Sequence, residues 1–153
     1  MEAVDFGAKY LADSMKTEQN VRDYLERKEF SEKEINEAIA SLKECNYLND
    51  VEYAKVAFRL EYEKGRGKMR IERHLAKKGV SKEDIEKGYF EFIDSDDGKG
   101  IDEKKIALEV ANKIAKDKDL DDKLRAKIAR NLTNRGFTTN TVYFAINNIE
   151  KEK

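Results

Sequence analysis

The stretch Val21–Ile39, VRDYLERKEFSEKEINEAI, decides how the chain is read, because it recurs as Ile71–Tyr89, IERHLAKKGVSKEDIEKGY, and again as Ile128–Ile146, IARNLTNRGFTTNTVYFAI. The offsets are 50 and 57 residues, a period that marks a repeat architecture. Equivalent apolar positions are Val21, Ile71 and Ile128; Leu25, Leu75 and Leu132; and Phe30, Val80 and Phe137. They are followed by Ile35, Ile85 and Val142, then Ile39, Tyr89 and Ile146, then Leu42, Phe92 and Ile149. The first two columns lie four residues apart and share one helical face, and the last three run i, i+4, i+7, one face of a second helix. Each copy therefore predicts a helical hairpin. Gly79 and Gly136 stand where a helix end wants positive φ, and Ser31, Ser81 and Thr138 where the next helix wants an N-cap oxygen. Ser31 with Glu34 forms a capping box. Glu29 takes the glycine position in the first copy, which predicts a turn that is more strained or differently built.

Working outward, a leading helix precedes each hairpin. Tyr53, Ala54 and Ala57 lie over Val110, Ala111 and Ile114 at the same 57-residue offset. In the first copy the leading helix falls near Asp5 to Met15. The expected fold is all-α: three tandem three-helix repeats, 1–48, 49–93 and 103–153, forming an elongated, curved modular array. Residues 94–102, DSDDGKGID, are acidic, contain glycine and lack periodicity, and read as a flexible linker.

Composition agrees. The 153 residues include no Pro and no Trp, and 41% are charged, well above the roughly 25% of ordinary domains. Lys and Arg number 31 against 32 Asp and Glu, so a generic polyanion binder is disfavoured. So many charged positions leave one apolar stripe per helix, which favours small modules over one large core. One Cys forms no internal disulfide, and no basic flank precedes an apolar run at the amino terminus, so secretion is unsupported. With no run near the roughly 18 apolar residues of a membrane span, a cytoplasmic protein is expected.

Catalytic and metal motifs fail on spacing. Counted from Asp94, a calcium loop would need an acid, Gly and Glu at its fifth, sixth and twelfth positions, which hold Gly98, Lys99 and Lys105. Gly65-Arg66-Gly67-Lys68 lacks the glycine spacing of a phosphate loop. His74 has no second ligand or nucleophile nearby and reads as the polar edge of a helix interface. Cys45 reads as a small, half-buried hydrophobe. The expectation is a non-enzyme without metal or cofactor.

The informative charges are those the repeat duplicates. Arg66, Lys68, Arg70, Arg73 and Lys78 align with Lys123, Arg125, Lys127, Arg130 and Arg135, all basic. At 100° per residue, Arg66, Arg70, Arg73 and Lys77 fall together opposite Ile71 and Leu75. The first repeat keeps Lys16 and Lys28 at the outer columns, with Glu18, Asn20 and Asp23 between. Such a stripe is either a solvated face copied with the unit or a surface for phosphates or an acidic groove. The last helices carry Glu37, Glu86 and Asn147 on their polar faces, which disfavours sequence-specific reading in a major groove.

The run Asn46-Tyr47-Leu48-Asn49-Asp50-Val51-Glu52-Tyr53-Ala54, followed by Gly67 and by IERHLAKKGVSKEDI from Ile71 to Ile85, resembles the middle of the RecX family of bacterial regulatory proteins. Asn46, Asn49 and Tyr53 replace that family's Gly, first Asp and Phe, and DSMKTEQNV opens the first repeat where the family often has an Arg-rich segment. The resemblance spans about Ala8 to Ile149. It implies a modulator that binds the RecA filament on single-stranded DNA and restrains RecA's ATPase, strand exchange and co-protease activities; a monomer is expected. The ten duplicated cations and Lys77 are then the expected RecA- or DNA-contacting residues. A direct DNA binder and a scaffold for another protein are the rival readings.

Overall fold

The computed structural model describes residues 1–150, which form nine helices and no strand. They are α1 (Ala3–Ala12), α2 (Glu18–Arg27), α3 (Glu32–Glu44), α4 (Asp50–Glu63), α5 (Lys68–Lys77), α6 (Lys82–Ile93), α7 (Glu103–Ala115), α8 (Asp122–Asn134) and α9 (Thr139–Asn147). The result is a helical repeat array of three triplets. In the first column Val21, Ile71 and Ile128 are at most 1% exposed, and Leu25, Leu75 and Leu132 of the second are fully buried. Each such side chain contributes roughly 1.5–3 kcal/mol of hydrophobic stabilisation.

The three hairpin turns share one construction. The residue after the C-cap is left-handed in each, with φ of 67° at Glu29, 87° at Gly79 and 94° at Gly136. The next N–H then donates back to the last turn of the helix: Phe30 to the Leu25 carbonyl at 3.2 Å, Val80 to Leu75 at 3.1 Å and Phe137 to Leu132 at 3.3 Å. This is the Schellman arrangement. The first turn is thus not differently built; it forces Glu29 into the same geometry, at a cost of roughly 1–2 kcal/mol for a side chain with a Cβ. Thr17, Ser31, Asp102, Asp121 and Thr138 accept N-cap hydrogen bonds at the helices they precede, and the Ser31–Glu34 capping box is present.

Cys45 corrects the sequence reading, for it is exposed. Its spacing from Leu42 points it inward only if α3 continues, but α3 ends at Glu44 and Asn46 turns left-handed at φ 60°. Tyr47 and Leu48 both donate to the Leu42 carbonyl, and Leu48, 2% exposed, joins the core after the turn.

The chain divides into two compact units: the first holds Met1–Val56 and His74–Glu91, the second Ala57–Arg73 and the chain from Phe92 onward. In the first, α1, α2 and α3 pack around Val21, Leu25, Ile39 and Leu42. Phe6 meets Phe30 edge-on at 5.3 Å, and Tyr10 stacks on Tyr24 at 4.3 Å. In the second, α7, α8 and α9 enclose Ala107, Ala111, Ile128, Leu132, Phe137 and Ala145.

Within the second unit, residues 94–100 form successive hydrogen-bonded turns. Ser95 donates to Phe92, Gly98 and Lys99 to Ser95, and Ile101 to Gly98. Gly98 is buried against the Phe92 carbonyl, where no Cβ fits.

Candidate functional site

Each unit contains one junction between successive repeats, and both junctions are built alike. In the first unit, Asp50, the opening residue of α4, caps α2: its Oδ1 accepts the Glu18 N–H at 2.9 Å. The Thr17 hydroxyl donates to the Lys78 carbonyl at 2.8 Å, and Gln19 lies against Gly79. In the second, Glu103, the opening residue of α7, caps α5: its Oε1 accepts the Lys68 N–H at 2.7 Å and the Tyr62 hydroxyl at 3.0 Å. The Gly67 N–H donates to the Arg135 carbonyl at 2.7 Å. Gly67 and Gly136 approach so closely that a Cβ on Gly67 would lie 2.5 Å from the Gly136 oxygen, and one on Gly136 would lie 2.5 Å from the Arg70 Cβ. A carboxylate at a helix N-terminus satisfies a free N–H and complements the helix dipole.

The caps differ electrostatically. Burial pushes the Asp50 carboxyl above its usual range, the Glu18 N–H pulls the other way, and the charges of Glu18 and Asp84 raise it further. Glu18 itself resists burial through Lys43 and Arg22, whose hydrogen bonds and charges hold it below the usual range. Lys43 is in direct contact with it, and the Arg22 Nε lies 3.2 Å away.

The second unit holds nine of the ten duplicated cations, all but Lys78. Arg66 is half-exposed and pairs with Glu61 at 2.7 Å. Arg135 donates through Nε to Asn131 at 2.7 Å and through Nη1 to the carbonyls of Lys64 and Gly65 at 3.2 and 3.4 Å. Both are committed inside the chain. Lys68 is half-exposed, whereas Arg70 and Arg73 are exposed. On α8, Lys123, Arg125, Lys127 and Arg130 are all exposed. Lys123, Lys127 and Arg130 line one shallow cleft of about 420 Å³, with Leu124 beneath and Lys118, Asp119 and Asp121 around it. Arg125 lies outside that lining. Lys77 and Lys78 belong to the first unit, Lys77 exposed and Lys78 half-exposed.

The first repeat's two surviving basic columns are occupied differently: Lys16 lies 4.8 Å over the Tyr10 ring and Lys28 5.6 Å over Tyr24. Such cation–π contacts hold them at the aromatic stack. His74 is exposed. Among the described residues no group of three or more His, Cys, Asp or Glu is placed to hold a metal ion, and no helix is long and apolar enough to cross a membrane.

Exposed cations on tandem three-helix repeats are a specific combination. Residues 3–42 match the family description "RecX, first three-helix domain", and residues 49–88 match "RecX, second three-helix domain". The chain belongs to the RecX family. The regulatory protein RecX of Streptococcus pneumoniae strain 70585 is 32% identical over 147 residues, covering 94% of this chain and 54% of that protein. The chain thus spans about half the length of the curated RecX relatives it matches. The crystal structure of RecX from Lactobacillus salivarius superposes with a TM-score of 0.80 at 23% identity, covering 95% of this chain and 92% of that one. A second crystal structure, of regulatory protein RecX, gives 0.78 at 22% identity over 95% and 71%. The RecX fold is shared throughout, and the family is one of regulatory proteins.

Sequence reasoning missed Glu103 and Asp50 as junction caps. Their only signal was position: each is the first residue of a leading helix and follows a turn segment.

Proposed function

We propose that this RecX-family protein binds the RecA filament on single-stranded DNA and restrains RecA's ATPase, strand exchange and co-protease activities. It does so in the cytoplasm, as a monomer and without chemistry or cofactor of its own. The observation that carries this reading is the pair of exposed cationic helix faces within one compact unit, Arg70 and Arg73 on α5 and Lys123, Lys127 and Arg130 on α8. Exposed cations of this kind are available to phosphates or to acidic walls of a protein groove.

The test is RecA ATPase on single-stranded DNA with increasing amounts of the protein, beside the Arg70→Glu/Arg73→Glu variant. Inhibition by the parent chain, weakened in the variant and weakened in both by salt, is the expected result. Equal inhibition by both at moderate salt refutes the role of the α5 face. Absence of any effect on RecA, with tight binding to bare duplex, replaces the reading with that of a direct DNA binder.

A further inference from the structure

From Lys123 to Ile149 the chain has five Lys or Arg and not one Asp or Glu, in a protein with 32 acids among 153 residues. This stretch is almost the whole of the α8–α9 hairpin. The other two hairpins end in acidic helices: α3 carries Glu32, Glu34, Glu37 and Glu44, and α6 carries Glu83, Asp84, Glu86 and Glu91. The face that presents Lys33 and Asn36 on α3, and Glu83 and Glu86 on α6, presents Asn140 and Tyr143 on α9. Asn140, Tyr143 and Asn147 follow i, i+3, i+7 spacing and are all exposed, Tyr143 by 63%. Lys104 reaches α9 from α7, its Nζ 5.4 Å over the Phe144 ring. The turn that starts α9 lies against Arg70 at Gly136.

We propose that α9 is a base-stacking surface for single-stranded nucleic acid, with Tyr143 as the stacking residue and Asn140 and Asn147 facing base edges. Keeping carboxylates off all but the first residue of a hairpin matters most where phosphates approach closely, since a like charge a few ångströms away opposes binding. An exposed, uncharged aromatic ring flanked by amides suits unstacked bases, which present a π-face and hydrogen-bonding edges that a duplex hides. An acidic protein needs only the cations, whereas a single strand uses the cations, the ring and the amides together. The assignment rests on the single-stranded DNA side of the function proposed above, and it names the element that tells single strand from duplex.

The test is fluorescence anisotropy with the full chain and three labelled probes: an oligothymidylate of about 20 nucleotides, an abasic strand with as many phosphates, and a duplex. The parent chain binds oligothymidylate about tenfold more tightly than the abasic strand. Tyr143→Ala removes that advantage and leaves abasic binding unchanged, while Tyr143→Phe keeps it. Tyr143 is outside the core, so the variant retains the parent's helical circular dichroism. The proposal is overturned if the parent chain ignores bare strands, if it binds both strands equally, or if Tyr143→Ala weakens both alike. Competition by polyglutamate as strong as that by oligothymidylate also overturns it, in favour of an acidic protein partner. RecA is absent from this titration, so stacking without RecA inhibition sinks only the filament reading, and RecA inhibition without stacking sinks only this one.

Discussion

Replacing Gly136 by Ala tests the junction in the second unit, and the structure separates its cost into two parts. Gly136 sits at φ 94°, which any residue with a Cβ adopts at a cost of roughly 1–2 kcal/mol. The new methyl would also lie 2.5 Å from the Arg70 Cβ and 2.9 Å from its Cα. These atoms belong to the backbone and base of α5, so no rotamer change relieves the clash. The turn and α5 must separate, which strains packing by roughly 1–3 kcal/mol. Separation also loosens the 2.7 Å hydrogen bond from Gly67 to Arg135, a loss of roughly 1 kcal/mol. The total is about 3–6 kcal/mol.

Gly100 supplies the control. It has φ 85°, and nothing lies within 4 Å of the place a methyl group would take there, so Gly100→Ala meets only the conformational part. The gain from stiffening the unfolded chain is common to both substitutions and cancels in their difference. Urea unfolding followed by circular dichroism should place Gly136→Ala below Gly100→Ala by about 2–4 kcal/mol with unchanged m-value. A gap under about 0.5 kcal/mol refutes the close approach of α5 to the turn.

Three further outcomes follow from the same geometry. Glu29→Gly relieves the one hairpin turn whose left-handed position holds a side chain, and should raise stability by about 0.5–1 kcal/mol in thermal unfolding; a loss would refute the strain at φ 67°. Asp50→Asn keeps an oxygen for the Glu18 N–H and removes a charge that burial disfavours, whereas Asp50→Ala orphans that N–H and should cost about 1 kcal/mol. Because the folded Asp50 pKa is raised above its ordinary 3.8, ionisation weakens the native state as pH rises through that range, so the advantage of Asn over Asp should be present at neutral pH and vanish below about pH 3.8. Glu18, held low in the folded state, contributes in the opposite sense: its contribution is present above 4.5 and lost as pH falls, so Glu18→Gln should flatten the acid limb of the stability profile.

The repeat was legible because three copies of one apolar pattern vote on each column, and the buried sets Val21, Ile71, Ile128 and Leu25, Leu75, Leu132 follow it directly. Turn chemistry was legible at Gly79 and Gly136, where only positive φ makes a glycine useful. The junction caps were not, since Asp50 and Glu103 act on N–H groups 32 and 35 residues away, and nothing local distinguishes a carboxylate that reaches across a junction from one in solvent. Cys45 was misread because the usual burial of a free cysteine was assumed for a residue that caps the exposed end of α3. Periodicity also treats all cations on a face alike, although Arg66 and Arg135 find partners in Glu61 and in the carbonyls of Lys64 and Gly65.

That last distinction sorts the duplicated columns. Lys78 and Arg135 each precede the left-handed glycine of a turn, and their carbonyls accept the bonds from Thr17 and Gly67 that join successive repeats. Their column is occupied with holding the array together, whatever its side chains add. Only the columns Arg70 with Lys127 and Arg73 with Arg130 are exposed in both copies. On α5 Arg70 and Arg73, and on α8 Lys127 and Arg130, form pairs at i, i+3, a like-charge spacing that costs a few tenths of a kcal/mol, where a carboxylate such as Glu83 beside Lys87 would have contributed as much. A face shaped only for solvation gains nothing from keeping that repulsion in two helices. A face that meets an anion recovers it on binding, because the partner's charge neutralises both members of each pair at once.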